Sequence, residues 1–246
     1  MRDICQDMIS GCQMQSFSHI PALCARIRDA DSGAIVDWDT FEDSCTFRRL
    51  FVCPSATRPI LRFCQKMVAL DACFTKNKKY PTQLFLATVH DGNSQIVPLA
   101  YGLAPVENFE NWMWFLHNLK ISIQDLSSDE VFIVSDRQKG LEKAVSEMLP
   151  ENPHMHCGHH LKMNVQKHFG KVAVQVLQNL FHAPYEERFN SILEEAGNRL
   201  DFGRKFVQYV RRIDPERYVR YALPLPRYGR TTITEFVFRL DAIHAW

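Results

Sequence analysis

Two aspartates, each delivered by a short apolar run, are the residues of this sequence best placed to do chemistry. Lys66-Met67-Val68-Ala69-Leu70 leads into Asp71, and Val131-Phe132-Ile133-Val134-Ser135 leads into Asp136. Carboxylates held at matched ends of two buried strands repel each other, and a hard divalent cation is the usual neutraliser. Each aspartate also has a bland reading, in which Asp136 caps the helix after it and Asp71 sits in a turn. A second constellation, His154-x-His156-Cys157-x-x-His160, offers four zinc-compatible side chains. His154 and His156 flank one strand while His160 lies in the next helix, which disfavours a full zinc site. The spacing instead gives Cys157 and His160 a local role at a strand–helix junction. A third feature is basic. Arg199, Arg204, Lys205, Arg211, Arg212, Arg217, Arg220, Arg227 and Arg230 are interleaved with Tyr209, Tyr218, Tyr221 and Tyr228. Arginines of this kind meet phosphates and tyrosines stack on bases. A solvated helix face and a tyrosine core are the competing explanations.

The elements that must position these residues can be read from hydrophobic periodicity. Residues 1–60 form a mixed lead-in with helical spacing at Ile20, Leu23, Cys24 and Ile27. Pro21 suits a helix start, and strand-like runs follow at Ala34–Asp39 and Thr46–Val52. The first core strand is Lys66–Asp71. Leu84–His90 is apolar on both faces, as a central strand should be. Asp91-Gly92-Asn93 marks a hairpin turn, and Gln95–Leu103 returns. Pro98 removes a ladder donor from that returning strand and predicts a sheet edge. Asn108 predicts a helix cap before the Trp112, Phe115, Leu116 and Leu119 stripe. Val131–Val134 reads as a strand buried on both faces, and a second amphipathic helix ends before Pro150. A right-handed crossover would set Val131–Asp136 parallel to the first strand and bring Asp71 towards Asp136. Helical periodicity then takes over at Leu161–Phe169, Val172–Phe181, Arg188–Leu200 and Phe202–Ile213.

Composition sets the frame. The chain has 246 residues and a formal net charge of +1, so only local clusters could attract nucleic acid. No apolar run is long enough for a membrane span, and the first residues lack the apolar core of a secretory signal. Eight cysteines occur without a Cys-x-x-Cys pair. That pattern predicts reduced, mostly buried thiols in an intracellular protein.

Several of these stretches resemble the transposase domain of Mutator-like elements (MULE). They are Leu70-Asp71-Ala72-Cys73-Phe74, the run from Leu86 to Tyr101, Glu107 to Leu116, Ser135 to Leu141, and Cys157-Gly158-His159-His160-Leu161. Their order and gaps agree as well, over about residues 50–170. The resemblance implies a ribonuclease H-like α/β fold, a mixed sheet flanked by helices, with an all-helical insertion before the last catalytic helix. The implied organisation is a lead-in at 1–60, a core at 61–169, the insertion at 170–228, and the start of the last helix at 229–246. An Asp-Asp-Glu triad carries over to Asp71, Asp136 and Glu235, the last within Thr231-Thr232-Ile233-Thr234-Glu235-Phe236. Glu194 and Glu195 are rivals for the third place but lie inside the insertion. The family's Cys-x-x-His signature carries over to Cys157 and His160.

The resemblance further implies a two-metal site holding Mg²⁺ or Mn²⁺, and DNA cleavage and strand transfer at transposon ends and target DNA. Self-association in a transposition complex and a nuclear location are implied too. Arg137, Lys139, Arg204, Lys205, Arg211 and Arg212 are the candidate DNA contacts. Relatives carry an N-terminal zinc-binding module and a C-terminal SWIM-type zinc finger that are missing here, which implies a truncated or relic transposase. A domesticated, non-cleaving DNA-binding or transcription-regulatory role is the alternative.

Overall fold

The computed structural model of the chain describes residues 17–42, 46–75 and 81–222. Contacts divide the chain into two compact units. One runs to Val131 and takes in Gln138–Asn152; the other comprises Phe132–Arg137 and the chain from Pro153 onward.

The first unit contains α1 (Ile20–Ala30), β1 (Ile35–Thr40), β2 (Phe47–Cys53), β3 (Met67–Phe74), β4 (Gln83–His90), β5 (Ile96–Ala104), α2 (Phe109–Ser122) and α3 (Lys139–Met148). Its five strands pair antiparallel in the order β1-β2-β5-β4-β3. β4 is internal, between β5 and β3, and carries six consecutive buried residues, as its unbroken apolar pattern predicts. The expectation that β5 is an edge strand is wrong along part of its length. β2 pairs with Tyr101–Leu103, so this stretch is internal. Pro98 lies outside that pairing, where the β4–β5 register shifts after Ala87, so its missing N–H costs no β2 bond.

Aromatic packing fixes α2 on this sheet. The Trp112 ring lies 4.5 Å from Phe85, and Phe115 lies 5.4 Å from Phe51 and 5.8 Å from Phe85. Gly102 makes room for this, because a Cβ there would stand 2.7 Å from the Phe115 ring. Trp112, Phe115, Leu116 and Leu119 are all buried, and each such side chain contributes roughly 1.5–3 kcal/mol. The lead-in belongs to this unit: α1 packs Ile20 and Cys24 against Val36 and Leu50. Buried Arg49 makes a forked bond to Asp39 at 2.7 and 3.1 Å and lies 4.7 Å over Trp114. The start of α3 abuts the start of α2 through Gly140, whose Cβ would fall 2.7 Å from the Phe109 nitrogen.

The second unit contains β6 (Phe132–Ser135), β7 (His154–His156), α4 (Gly158–Phe181), α5 (Glu186–Arg199) and α6 (Gly203–Arg211). β6 and β7 pair parallel, with Ile133 opposite His154 and Ser135 opposite His156. The helices fall where periodicity put them. The break expected between Phe169 and Val172 is a kink at Gly170, whose φ of 82° suits glycine. Phe169 packs on Phe206 and Tyr209, and Tyr218 is buried between Phe181 and Phe189. Tyr218 is therefore core and not a stacking platform, and Tyr221 packs on Phe189. Tyr228 lies outside the described residues.

Both antiparallel and parallel strand pairs occur, with helices in each unit. The order of three antiparallel strands, then helix, strand, helix and strand, followed by helices alone, is the ribonuclease H-like α/β arrangement expected from the sequence. No described helix is long and apolar enough to cross a membrane.

Candidate active site

Asp71 lies within β3, opposite Leu86, and the strand continues to Phe74. It is neither a turn residue nor the last residue of its strand, because β4 extends the ladder through Cys73↔Leu84 and Phe74↔Gln83. Met67 to Leu70 are buried, and the half-buried run begins at Asp71 itself. The aspartate thus stands where the strand leaves the core. Its Oδ1 accepts the Ala72 N–H at 2.9 Å, which fixes one carboxylate oxygen.

Asp136 follows directly on β6, beyond four buried residues, at the carboxyl end of a parallel strand. Open α/β sheets bind ligands beyond such ends. The helix-cap explanation fails for it: the N-cap of α3 is Gln138, whose side chain accepts from Leu141 N at 2.6 Å. Gln138 also donates to the Glu107 carbonyl at 3.1 Å, while the Glu107 carboxylate accepts from Trp112 Nε1 at 3.1 Å. Glu107, Gln138 and Gly140 therefore build the α2–α3 junction.

A polar clamp holds the backbone at Asp136. Ser135 Oγ donates to the Asp136 carbonyl at 2.8 Å and lies 2.8 Å from His154 Nε2. A hydroxyl that donates in one direction accepts in the other, so His154 carries its proton on Nε2. Burial and the nearby Arg217 push the His154 pKa down to about 4, so the ring is neutral near pH 7. His156, beside Ser135 on β7, is pushed down to about 3 by burial and then by His154, Arg217 and Arg137.

Arg137, next in the chain, donates to the Tyr209 hydroxyl at 3.3 Å, with its guanidinium 5.8 Å from the ring centre. Tyr209 belongs to α6, so a helix of the insertion steadies the residue beside Asp136. The sequence held no local signal for this pair, which are 72 positions apart.

The remaining candidates fall as follows. Cys157 is buried at the N-cap of α4 without a side-chain capping bond, and its N–H donates to the Ser135 carbonyl at 2.6 Å. His160 is half-buried in the first turn of α4. Both do stand at a strand–helix junction. Among the described residues, no group of three or more His, Cys, Asp or Glu side chains is arranged to hold a metal ion. Glu235 lies outside the described residues. Of the rivals, Glu194 is exposed on α5 and Glu195 sits 3.9 Å from Arg188. Lys139, Arg204, Lys205, Arg211 and Arg212 are exposed. Cys24, Cys53, Cys64, Cys73 and Cys157 are free thiols, and burial raises the pKa of the first four, which makes them poor nucleophiles.

A half-buried aspartate leaving an apolar strand in one unit, and a second at the end of a parallel strand in the other, define the class: an α/β protein that presents a strand-borne carboxylate in each unit. The model of the MULE transposase domain family matches residues 67–164, a segment that includes Asp71, Asp136, Cys157 and His160. Over residues 67–164 the chain is thus similar to a MULE transposase domain. No curated protein matches the chain. Among solved structures, the chain is similar to one in the cryo-EM structure of the simian T-cell lymphotropic virus intasome in complex with PP2A regulatory subunit B56 gamma. Identity is 9% and the TM-score 0.26, over 56% of this chain and 50% of that chain. The chain thus spans about half the length of that one.

Proposed function

We propose that this transposase domain cleaves DNA and transfers strands with the help of divalent metal ions, and that Asp71, Asp136 and Glu235 are its catalytic carboxylates. One observation carries the reading: the segment matching the transposase family contains both aspartates, and neither has the bland role its sequence allowed. The donor chemistry is suitable. Aspartates at the margin of a buried sheet present hard oxygens, which suit Mg²⁺ or Mn²⁺. Bound ions would stabilise charge on the attacking and leaving oxygens of an in-line phosphoryl displacement. Water as nucleophile would nick the element end, and the freed 3′-hydroxyl would attack target DNA. The chain contributes carboxylates on fixed backbone, the Ser135–His154 clamp that orients Asp136, and the Arg137 guanidinium, able to meet a phosphate. DNA is accordingly the proposed substrate and partner, with self-association and a nuclear location following from that role.

The test is nicking of supercoiled plasmid by the purified chain with Mg²⁺, with Mn²⁺ and with EDTA, beside Asp136→Asn. Metal-dependent nicking lost in the variant is expected. Equal nicking by both proteins would sink the enzyme reading. DNA binding without nicking would favour the alternative, a domesticated DNA-binding protein.

A further inference from the structure

The four basic residues in and just after α6 picked out by the sequence are not equivalent in the structure. Arg204 and Arg211 line a groove of about 470 Å³ between α5 and α6, whereas Lys205 and Arg212 are exposed outside it. The walls repeat at helical spacing. Asn190, Glu194 and Asn198 recur every fourth residue on α5, and Arg204, Gln208 and Arg211 form the facing row on α6.

The fold builds this groove through one close approach. Gly203 begins α6 against the last turns of α5, where a Cβ would stand 2.1 Å from the Ala196 carbonyl oxygen. A turn of three residues joins the helices, closed by Gly203 N donating to the Leu200 carbonyl at 2.8 Å. Phe206 and Val210 face the core, which leaves Arg204, Gln208 and Arg211 on the groove side. Among the described residues, no hydrogen bond or ion pair engages either arginine, so their donors are available to a ligand.

The lining specifies that ligand. Arg204 and Arg211 are seven positions apart, about 10 Å along the axis at 1.5 Å per residue, so they engage two separate anionic groups and not one. Three amide side chains beside them pair with groups that both donate and accept, as base edges and sugars do. The Glu194 carboxylate, in the facing row, can accept from an exocyclic amino group of a base. A nucleic-acid strand supplies anions at regular spacing with polar edges between them.

We propose that the α5–α6 groove, whose lining includes neither Asp71 nor Asp136, is a DNA-contact site, with Arg204 and Arg211 on phosphates of one strand and Asn190, Asn198 and Gln208 on the nucleotides between. It rests on the reading that this transposase domain handles DNA. The test is fluorescence anisotropy of the full chain with a fluorescein-labelled DNA oligonucleotide in EDTA, where no cleavage intervenes, across a KCl series. For Arg204→Ala/Arg211→Ala, affinity falls at least tenfold at low salt, and the slope of log affinity against log salt shrinks by about 1.8, two phosphate contacts' worth. Lys205→Ala/Arg212→Ala, which removes the same charge outside the groove, costs less than threefold. All four positions are exposed, and unchanged circular dichroism confirms that each variant is folded. Equal losses in the two double variants, or no loss in the first, would overturn the groove while leaving DNA binding and nicking intact. Absence of DNA binding by the wild-type chain would overturn the groove and the DNA reading together.

Discussion

The two units present the same kind of residue by opposite means. Asp71 rides within an antiparallel strand, held in place by ladder bonds to β4 and by the aromatic packing of α2 on that sheet. Asp136 follows a four-residue strand and depends on side chains: Ser135 grips its carbonyl, His154 backs Ser135, and Tyr209 holds Arg137. A carboxylate can be positioned by backbone regularity or by a polar clamp. The first arrangement should resist change of pH, and the second should be sensitive to it.

The largest expected effect lies in the first unit. Trp112 is fully buried against Phe85 and Phe115, and its Nε1 donates to Glu107. Trp112→Ala should cost about 3–5 kcal/mol in urea unfolding, as large aromatic truncations in a packed core do. A loss under 1 kcal/mol would show that aromatic packing does not hold the Asp71 sheet.

Acid should separate the units. His154 and His156 titrate near 4 and 3 when folded, against 6.5 for a free histidine. Between those values and 6.5 the unfolded chain binds protons that the folded chain does not. Their stabilising contribution is therefore complete above about pH 6.5 and is lost as pH falls towards 4 and 3, by on the order of 3 kcal/mol for His154 and 5 kcal/mol for His156. Hydrogen exchange followed from pH 7 to pH 4.5 should show β7 and α4 losing protection before β4, and His154→Asn should reduce the difference. Simultaneous loss in both units would show that the second unit is no more acid-sensitive than the first.

Two smaller effects sharpen it inside the second unit. Gly203→Ala forces a methyl group against the Ala196 carbonyl and should cost about 1–3 kcal/mol of thermal stability. Ser135→Ala removes the hydroxyl between His154 and the Asp136 carbonyl. It should cost about 1 kcal/mol by urea titration, the net worth of an ordinary hydrogen bond.

What the sequence revealed follows from what is local. The helices around Trp112 and Leu193, the Asn108 cap and the break at Gly170 each depend on a few neighbouring residues, and each is present. Pairing across long gaps was harder to read. Pro98 pointed to an edge because nothing in its vicinity says that β2, some fifty residues earlier, returns to cover Tyr101–Leu103. The lead-in looked separate for the same reason, although β1 and β2 extend the sheet. For the site, the residues before each aspartate announced buried strands, and that was right. The devices around them were not legible. Asn152, whose side-chain amide donates to the carbonyls of Leu126, Ser128 and Val131 ahead of β6, looks like any loop asparagine in the sequence. The tyrosines show the converse: base stacking and core packing demand the same residue type, and only burial distinguishes Tyr218.

That Asp71 and Asp136 are both required for metal-dependent DNA cleavage, however differently they are held, is the core of the proposed function. Its most direct test is the plasmid-nicking rate of Asp71→Asn measured beside Asp136→Asn in Mg²⁺, with folding of each variant checked by circular dichroism. Each substitution should lower the rate by roughly 10²-fold or more, as loss of a group that stabilises the transition state does. A folded Asp71→Asn or Asp136→Asn protein that nicks at the wild-type rate would show that the substituted carboxylate is not needed for cleavage.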